Sequence, residues 1–201
     1  MSMFNVLQPY ILTFIPIFVA VDAIGNIPLF ISLVNSLGKK QRQKVVLDTV
    51  TTATAVAILF VLIGKWILSF IGITISDFQI AGGALLFIIS VRLLMPGTAK
   101  SLVANSHEKN IGVFPLGTPL VTGPAVLTTT LIMHDTFGLF PTLLSLLANM
   151  LIVWVTLAKA DVIMKVMGTS GTRAFSKIMY VLLAAIGVMM IRRGILGGFF
   201  P

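Results

Sequence analysis

Apolar residues in this chain occur in six long runs that are separated by short polar connections. A helix needs about 20 mostly apolar residues to cross the hydrocarbon core of a bilayer, which is about 30 Å thick. The pattern therefore predicts six membrane-spanning helices, over Val6–Leu37, Val45–Ile71, Phe78–Met95, Gly112–Met133, Leu139–Ala158 and Ile178–Leu196. We expect an all-α membrane protein.

The first and the fourth run each contain three prolines, at positions 9, 16 and 28 and at positions 115, 119 and 124. Proline removes a backbone donor and bends or interrupts a helix. We therefore predict that spans one and four are discontinuous near the middle of the membrane.

The two interruptions are also the clearest part of a weak internal repeat. The segment Ala23–Phe30 returns in outline as Pro119–Val126, about 96 residues later, and Phe78, Leu85, Ile89 and Gly97 are matched by Phe175, Leu182, Ile186 and Gly194. Three spans per copy is an odd number, so the second copy must enter the membrane from the opposite face. We predict one transmembrane domain over residues 1–201, with two inverted three-helix repeats at about 1–97 and 110–201 and a connecting loop at about 96–110.

Composition agrees with a membrane protein, and charge predicts its orientation. The chain is 57% hydrophobic and 10% charged, with a mean hydropathy of +1.07, far from the quarter of charged residues that is usual in soluble domains. Its net charge of +8 does not indicate a nucleic-acid partner, because the basic residues flank the spans. They gather on one side, at Lys39, Lys40, Arg42, Lys44, Arg92, Lys100, Lys109, Lys159, Lys165, Arg173 and Lys177, against Lys65, Arg192 and Arg193 on the other. This asymmetry predicts a plasma (inner) membrane protein with both termini outside the cytoplasm.

The two interruptions have the chemistry of a binding site for a small solute. Pro28 and Pro124 are suited to the start of a new helix, and a helix start presents unpaired N–H groups that favour an anion. The preceding helix ends offer carbonyl groups to a cation, so a zwitterion suits both. Asn26 and Thr122 occupy matching positions, two residues before the proline, where they can cap the helix or contact the solute. The alternative is that the glycines and prolines only kink packed helices.

Asp22 lies about one turn before the first interruption. A carboxylate inside a span is a functional candidate by default. Two interpretations are open: a proton carrier, or a hydrogen-bonded structural acid at a helix end.

Other positions predict packing rather than chemistry. Gly82 and Gly83 indicate close approach of another helix, and their counterparts in the second half are Met179 and Tyr180, of which Tyr180 can fill space. We expect Lys159–Lys177 to be an amphipathic connection with a turn at residues 168–171.

Enzyme chemistry is not indicated. There is no cysteine, no Gly-x-Ser-x-Gly, no His-Glu-x-x-His and no phosphate-binding Gly-Lys-Ser/Thr motif. The two histidines, His107 and His134, have no spacing typical of a metal site. We predict neither an enzyme nor a metal or cofactor site.

Three ordered motifs, Asp22–Phe30, Phe78–Phe87 and Pro115–Ala125, resemble the MarC/SnatA family of membrane proteins. The resemblance implies six helices in two inverted halves with discontinuous first and fourth helices. It implies proton-coupled transport of small neutral amino acids such as glycine and alanine. It also implies that the substrate contacts Gly25, Asn26, Pro28, Thr122, Gly123 and Pro124.

The sequence therefore favours a secondary transporter of small neutral amino acids that alternates access between inverted repeats. An ion gradient must drive it because no ATPase motif is present. A proton carried by Asp22 is the expected coupling ion, with sodium as the alternative. A passive channel or facilitator and a non-transporting membrane scaffold are the competing functions, and the oligomeric state is open.

Overall fold

The computed structural model describes residues 3–34, 37–95 and 111–199, and those residues form helices without any strand. The helices are α1 (Met3–Val21), α2 (Asn26–Val34), α3 (Lys39–Ile71), α4 (Ile75–Leu94), α5 (Gly112–Val121), α6 (Pro124–Phe137), α7 (Leu139–Ala158) and α8 (Ala160–Phe199). The predicted connecting loop at 96–110, with His107, lies outside the described residues.

The all-α membrane architecture is confirmed at the level of four or five spans. Within the described residues, α3, α4, α7 and the second half of α8 are each long and apolar enough to cross a bilayer. The pair α5 and α6 adds a fifth span if it counts as one, with a bend of 53° between the two helices. In α1, the apolar stretch Leu7–Val21 is shorter.

The short helix α5 has wide turns that differ from those of a regular α-helix. The N–H of Leu116 donates to the carbonyl of Ile111 (3.4 Å) and that of Thr122 to the carbonyl of Gly117 (3.0 Å), so each bond spans five residues. Phe114 and Thr118 have extended backbone angles, which agrees with the preference of a residue before proline for an extended conformation. The irregularity of the fourth span therefore begins well before the second interruption.

A tight turn joins α3 to α4. Gly72, at φ 77°, ends α3 in the left-handed conformation that glycine adopts readily. Thr74 then caps α4: its hydroxyl accepts a hydrogen bond from the N–H of Asp77 (3.1 Å), and a carboxylate oxygen of Asp77 accepts one from the N–H of Thr74 (2.9 Å). Asp77 is therefore a structural acid at a helix start.

Two pairs of helices run parallel. Between α7 and α1, the hydroxyl of Ser145 donates to the carbonyl of Tyr10 (3.2 Å), and the amide of Asn149 donates to the carbonyl of Phe14 (3.3 Å). Both sequences advance by four residues in the same direction, so α1 and α7 are parallel. The helices α5 and α3 are parallel as well. Gly112, at the start of α5, packs against α3 near Thr49, and Gly117, further along α5, packs against Thr52, further along α3.

The helices α4 and α8 pack against each other along their length in opposite directions. A Cβ on Gly83 would lie 2.5 Å from the carbonyl oxygen of Gly187, and one on Gly194 would lie 2.6 Å from the carbonyl oxygen of Ser76. The backbones can meet this closely only because glycine has no side chain. The predicted close packing at Gly82 and Gly83 is confirmed.

The predicted turn at residues 168–171 is wrong, because α8 continues through it from Ala160 to Phe199. The chain turns earlier, at Lys159, whose N–H donates to the carbonyl of Val155 (3.1 Å). A glycine inside a helix costs only about 1 kcal/mol relative to alanine, so two glycines do not by themselves end a long helix.

Candidate functional site

The first break, residues 22–25, separates α1 from α2. Asp22 begins it with φ 45°, a conformation that aspartate adopts more readily than most residues. One carboxylate oxygen of Asp22 accepts a hydrogen bond from the N–H of Gly25 (3.0 Å). A Cβ on Gly25 would overlap this carboxyl group, so the contact requires glycine.

Asn26, the first residue of α2, pairs with the other side of the break. Its side-chain amide donates to the carbonyl of Val21 (3.0 Å), the last residue of α1. Its backbone N–H donates to the carbonyl of Asp22 (3.1 Å). The break therefore forms side-chain hydrogen bonds on both sides: the Asp22 carboxylate accepts from the N–H just before α2, and the Asn26 amide donates to the last carbonyl of α1.

A cavity of about 300 Å³, here called the first-break cavity, opens beside these residues. One wall is the break itself, with Asp22, Gly25 and Asn26. Leu29 of α2 also lines the cavity, and α8 supplies the remaining lining residues, Tyr180, Leu182, Leu183, Ala185, Ile186 and Met189. The lining is therefore mostly apolar, with its polar groups at the break.

The second break, Thr122 and Gly123, separates α5 from α6 and is fully buried. The hydroxyl of Thr122 donates to the carbonyl of Ala53 in α3 (2.9 Å). A Cβ on Gly123 would overlap the carbonyl oxygen of Pro119, and one on Gly82 in α4 would overlap the ring of Pro124. Neighbouring backbone and side chains therefore close tightly on this break.

The structure brings part of the predicted site together. Asp22, Gly25 and Asn26 line the first-break cavity, whereas Thr122, Gly123 and Pro124 are not among its lining residues. Pro28 lies in the first turn of α2, and its side chain is outside the described part of the structure. The two broken helices lie side by side, with α1 packed against α6 and α2 against α5.

Sequence reasoning missed the apolar wall on α8. Leu183, Ile186 and Met189 are ordinary apolar residues of a predicted span, and no local pattern separates a cavity wall from a packed interface. Tyr180 was noted as a mismatch between the halves, and in the structure it is 5% exposed and lines the cavity. This mismatch is the sequence feature that could have pointed to the cavity wall.

Charged groups sit at the ends of α3. Arg42 pairs with Asp161 of α8 (2.6 Å), and Lys65 pairs with Asp135 of α6. Among the described residues, no three His, Cys, Asp or Glu side chains are grouped as metal ligands would be.

Comparison with known proteins extends over almost the whole chain. The family model described as MarC family integral membrane protein matches residues 7–199. Two UPF0056 membrane proteins of Methanocaldococcus jannaschii are similar, one 36% identical over 95% of this chain and 98% of its own length, the other 34% identical over 96% and 89%. A UPF0056 membrane protein of Pyrococcus abyssi is 28% identical over 98% of this chain and 99% of its own length.

No solved structure matches the chain. The resemblance carried by the three sequence motifs is nevertheless confirmed, since the matched region includes both breaks and all the spans. The chain belongs to the MarC family of integral membrane proteins.

Proposed function

We propose that the protein is a secondary transporter that carries a small neutral amino acid, of the size of glycine or alanine, through the first-break cavity. The observation that carries this proposal is the cavity itself, which joins a helix break to an apolar wall. Its volume of about 300 Å³ is at the lower end of the range for small-molecule sites. A small solute suits it better than a bulky one.

The polarity of the cavity supports a zwitterionic substrate with a short apolar side chain. The side chains of Asp22 and Asn26 already form hydrogen bonds to the two backbone groups at the break that a bound amino acid would contact, the N–H of Gly25 and the carbonyl of Val21. A substrate carboxylate fits the N–H of Gly25 at the start of α2, and a substrate ammonium group fits the carbonyl end of α1. The side chain then faces Leu183 and Ile186 of α8.

Asp22 offers a route for proton coupling. Its carboxylate accepts the Gly25 N–H (3.0 Å) that the substrate carboxylate would use. Two carboxylates at one donor repel each other, so substrate binding is favoured when Asp22 takes up a proton and releases that N–H. Proton and substrate then bind together, which is what a symporter requires. Sodium held by the carbonyl groups of the break is the competing coupling ion.

Reciprocal packing supports alternating access between two inverted halves. Exchanging the halves replaces α1 by α5, α2 by α6, α3 by α7 and α4 by α8. Under this exchange the parallel pair α1 and α7 becomes the parallel pair α5 and α3, and the contact of α1 with α6 becomes that of α5 with α2. The antiparallel pair α4 and α8 maps onto itself. We propose six spans on this basis, with α1 and α2 together as the first.

Orientation and membrane follow from the charge asymmetry. Eleven lysines and arginines lie at one side of the proposed spans and three at the other. We propose a plasma (inner) membrane protein with both termini on the extracytoplasmic side.

The test is uptake of radiolabelled glycine and alanine into proteoliposomes, with and without an inward proton gradient. We expect Asp22→Asn to lose gradient-driven accumulation but to keep saturable counterflow, because asparagine retains an oxygen for the cap but cannot carry a proton. Asp161→Asn, the same change in the surface ion pair, is the matched control and should keep both activities. Accumulation by Asp22→Asn at the wild-type level would remove Asp22 as the carrier. Unsaturable flux without trans-stimulation would identify a channel, and absence of flux together with absence of thermal stabilisation by amino acids would leave a scaffold.

A further inference from the structure

A second cavity, here called the basic crevice, shares no lining residue with the first-break cavity and lies where α3 begins and α7 ends. Its volume is about 460 Å³. The side that belongs to the start of α3 carries Lys39, Arg42 and Lys44, and the apolar part includes Leu47, Trp154 and Leu157. Lysines and arginines concentrate at this end of the molecule, which is the proposed cytoplasmic side.

The charges of the crevice favour an anionic ligand. Arg42 is held in the wall, because its guanidinium pairs with Asp161 (2.6 Å) and also donates to the carbonyl of Leu37 (2.8 Å). Within the described part of the chain, Lys39 and Lys44 form no ion pair. Three basic residues and one acidic residue line the crevice, which leaves a net charge of +2.

The apolar part of the crevice favours a lipid over a soluble anion. Leu47 is 56% exposed and Trp154 is 44% exposed, so both face the surroundings of the protein. Leu47 lies about 12 Å along α3 from Lys39, at 1.5 Å per residue, in the direction of the membrane centre. Tryptophan is typical of the boundary between headgroups and acyl chains. The crevice thus changes from basic to apolar over the distance from a headgroup to the upper part of an acyl chain.

We propose that the basic crevice is a binding site for an anionic phospholipid, with the headgroup phosphate at Lys39 and Lys44 and one acyl chain along Leu47 and Trp154. This site is separate from the proposed transport site and does not depend on it. An uncharged or zwitterionic lipid would leave the two ammonium groups without a counter-charge. A free phosphate ion would leave the apolar wall uncovered.

The position of Trp154 allows a direct test. The chain has two tryptophans, Trp66 and Trp154, so Trp66→Phe leaves Trp154 as the only strong fluorophore. This protein is reconstituted into phosphatidylcholine vesicles that contain a small fraction of a brominated lipid, either phosphatidylglycerol or phosphatidylcholine, because bromine quenches a tryptophan only on contact. We expect brominated phosphatidylglycerol to quench Trp154 well beyond its mole fraction and brominated phosphatidylcholine to quench it in proportion to its mole fraction.

Variants then separate a site from a diffuse basic surface. Lys39→Gln and Lys44→Gln should each lower the relative affinity for phosphatidylglycerol by about fivefold. Lys40→Gln removes the same charge from the same turn, but Lys40 does not line the crevice, so this control should keep the preference. A protein with Trp154→Phe reports from Trp66, near the other end of α3, and should show no preference. Equal quenching by the two lipids, or equal loss in Lys40→Gln and Lys39→Gln, would overturn the proposal.

Discussion

The two breaks have similar sequences but different surroundings. At the first break the backbone turns over residues 22–25 and opens onto a cavity of about 300 Å³. At the second break Thr122 bonds to Ala53 in another helix and Gly123 is packed against Pro119. The first break forms hydrogen bonds within itself and has a cavity beside it, whereas the second is bonded to a neighbouring helix and tightly packed.

The helices that pack beside the two breaks differ at matching positions of the proposed repeat. Gly82 in α4 has no side chain, so α4 approaches until it meets the ring of Pro124. In the proposed repeat the corresponding helix is α8, in which Met179 and Tyr180 take the places of Gly82 and Gly83. The ring of Tyr180 is buried and forms part of the cavity wall beside the first break. In the proposed repeat, one copy of the motif therefore adjoins a cavity and the other is tightly packed.

The largest effect is expected from removing the ring of Tyr180 from the cavity wall. Tyr180→Gly should cost about 4 kcal/mol of stability, as for other buried aromatic residues, and should abolish thermal stabilisation by glycine or alanine. Tyr180→Phe keeps the ring and should retain that stabilisation. Melting of the purified proteins with and without millimolar amino acid measures both. Normal ligand stabilisation of Tyr180→Gly would show that the ring does not maintain the cavity.

A methyl group added at each break should separate stability from binding. In Gly123→Ala the new group meets the backbone of Pro119, which cannot move away, so we expect a loss of about 3 kcal/mol. In Gly25→Ala it meets only the side chain of Asp22, which can rotate, so we expect about 1 kcal/mol together with loss of ligand stabilisation. The melting temperatures of Gly123→Ala and Gly25→Ala measure the two losses of stability. Equal losses would mean that both breaks are structural joints.

Removing the polar group from each break gives a smaller and more selective effect. Asn26→Ala should weaken ligand affinity by about tenfold, the equivalent of a lost hydrogen bond of 1.4 kcal/mol. Thr122→Val should cost about 1 kcal/mol of stability and leave affinity unchanged, because the hydroxyl of Thr122 is already committed to Ala53. Affinity is obtained from ligand-dependent melting. Weaker binding by Thr122→Val would instead support the single shared site that the sequence predicts.

The smallest effect is expected at the ion pair that joins α3 to the helix after the second break. Lys65 and Asp135 are each about half exposed, with side-chain accessibilities of 50% and 46%. Exposed pairs contribute about 0.5 kcal/mol, so Asp135→Asn should barely change the melting temperature or transport. A drop comparable to that of Gly123→Ala would mean that this pair, and not the packing at the second break, holds the halves together.

The sequence alone predicted the helices well. The observed α3, α7 and the pair α5 and α6 begin and end within a few residues of the predicted spans, except where α3 extends into its basic start. The length of an apolar run is sufficient to predict a helix here. A segment that spans the bilayer must form all its backbone hydrogen bonds internally, and a single segment can do so only as a helix. The prolines indicated which two spans are broken, but they did not fix the positions of the breaks, since Pro9 and Pro16 lie inside the uninterrupted α1. Composition did not predict that α8 continues through Gly168. Glycines are common in turns, but a long helix also tolerates them at a modest cost, so their presence does not distinguish the two cases.

The sequence by itself determined that this is a helical membrane protein with two matched breaks and a carboxylate beside the first. Only the tertiary structure showed that the first break adjoins a cavity. That cavity is completed by residues of another helix, about 150 positions away from the first break, such as Tyr180. The pattern around Asp22 and Asn26 contains no information about them, because packing distance is a property of two surfaces and not of one segment.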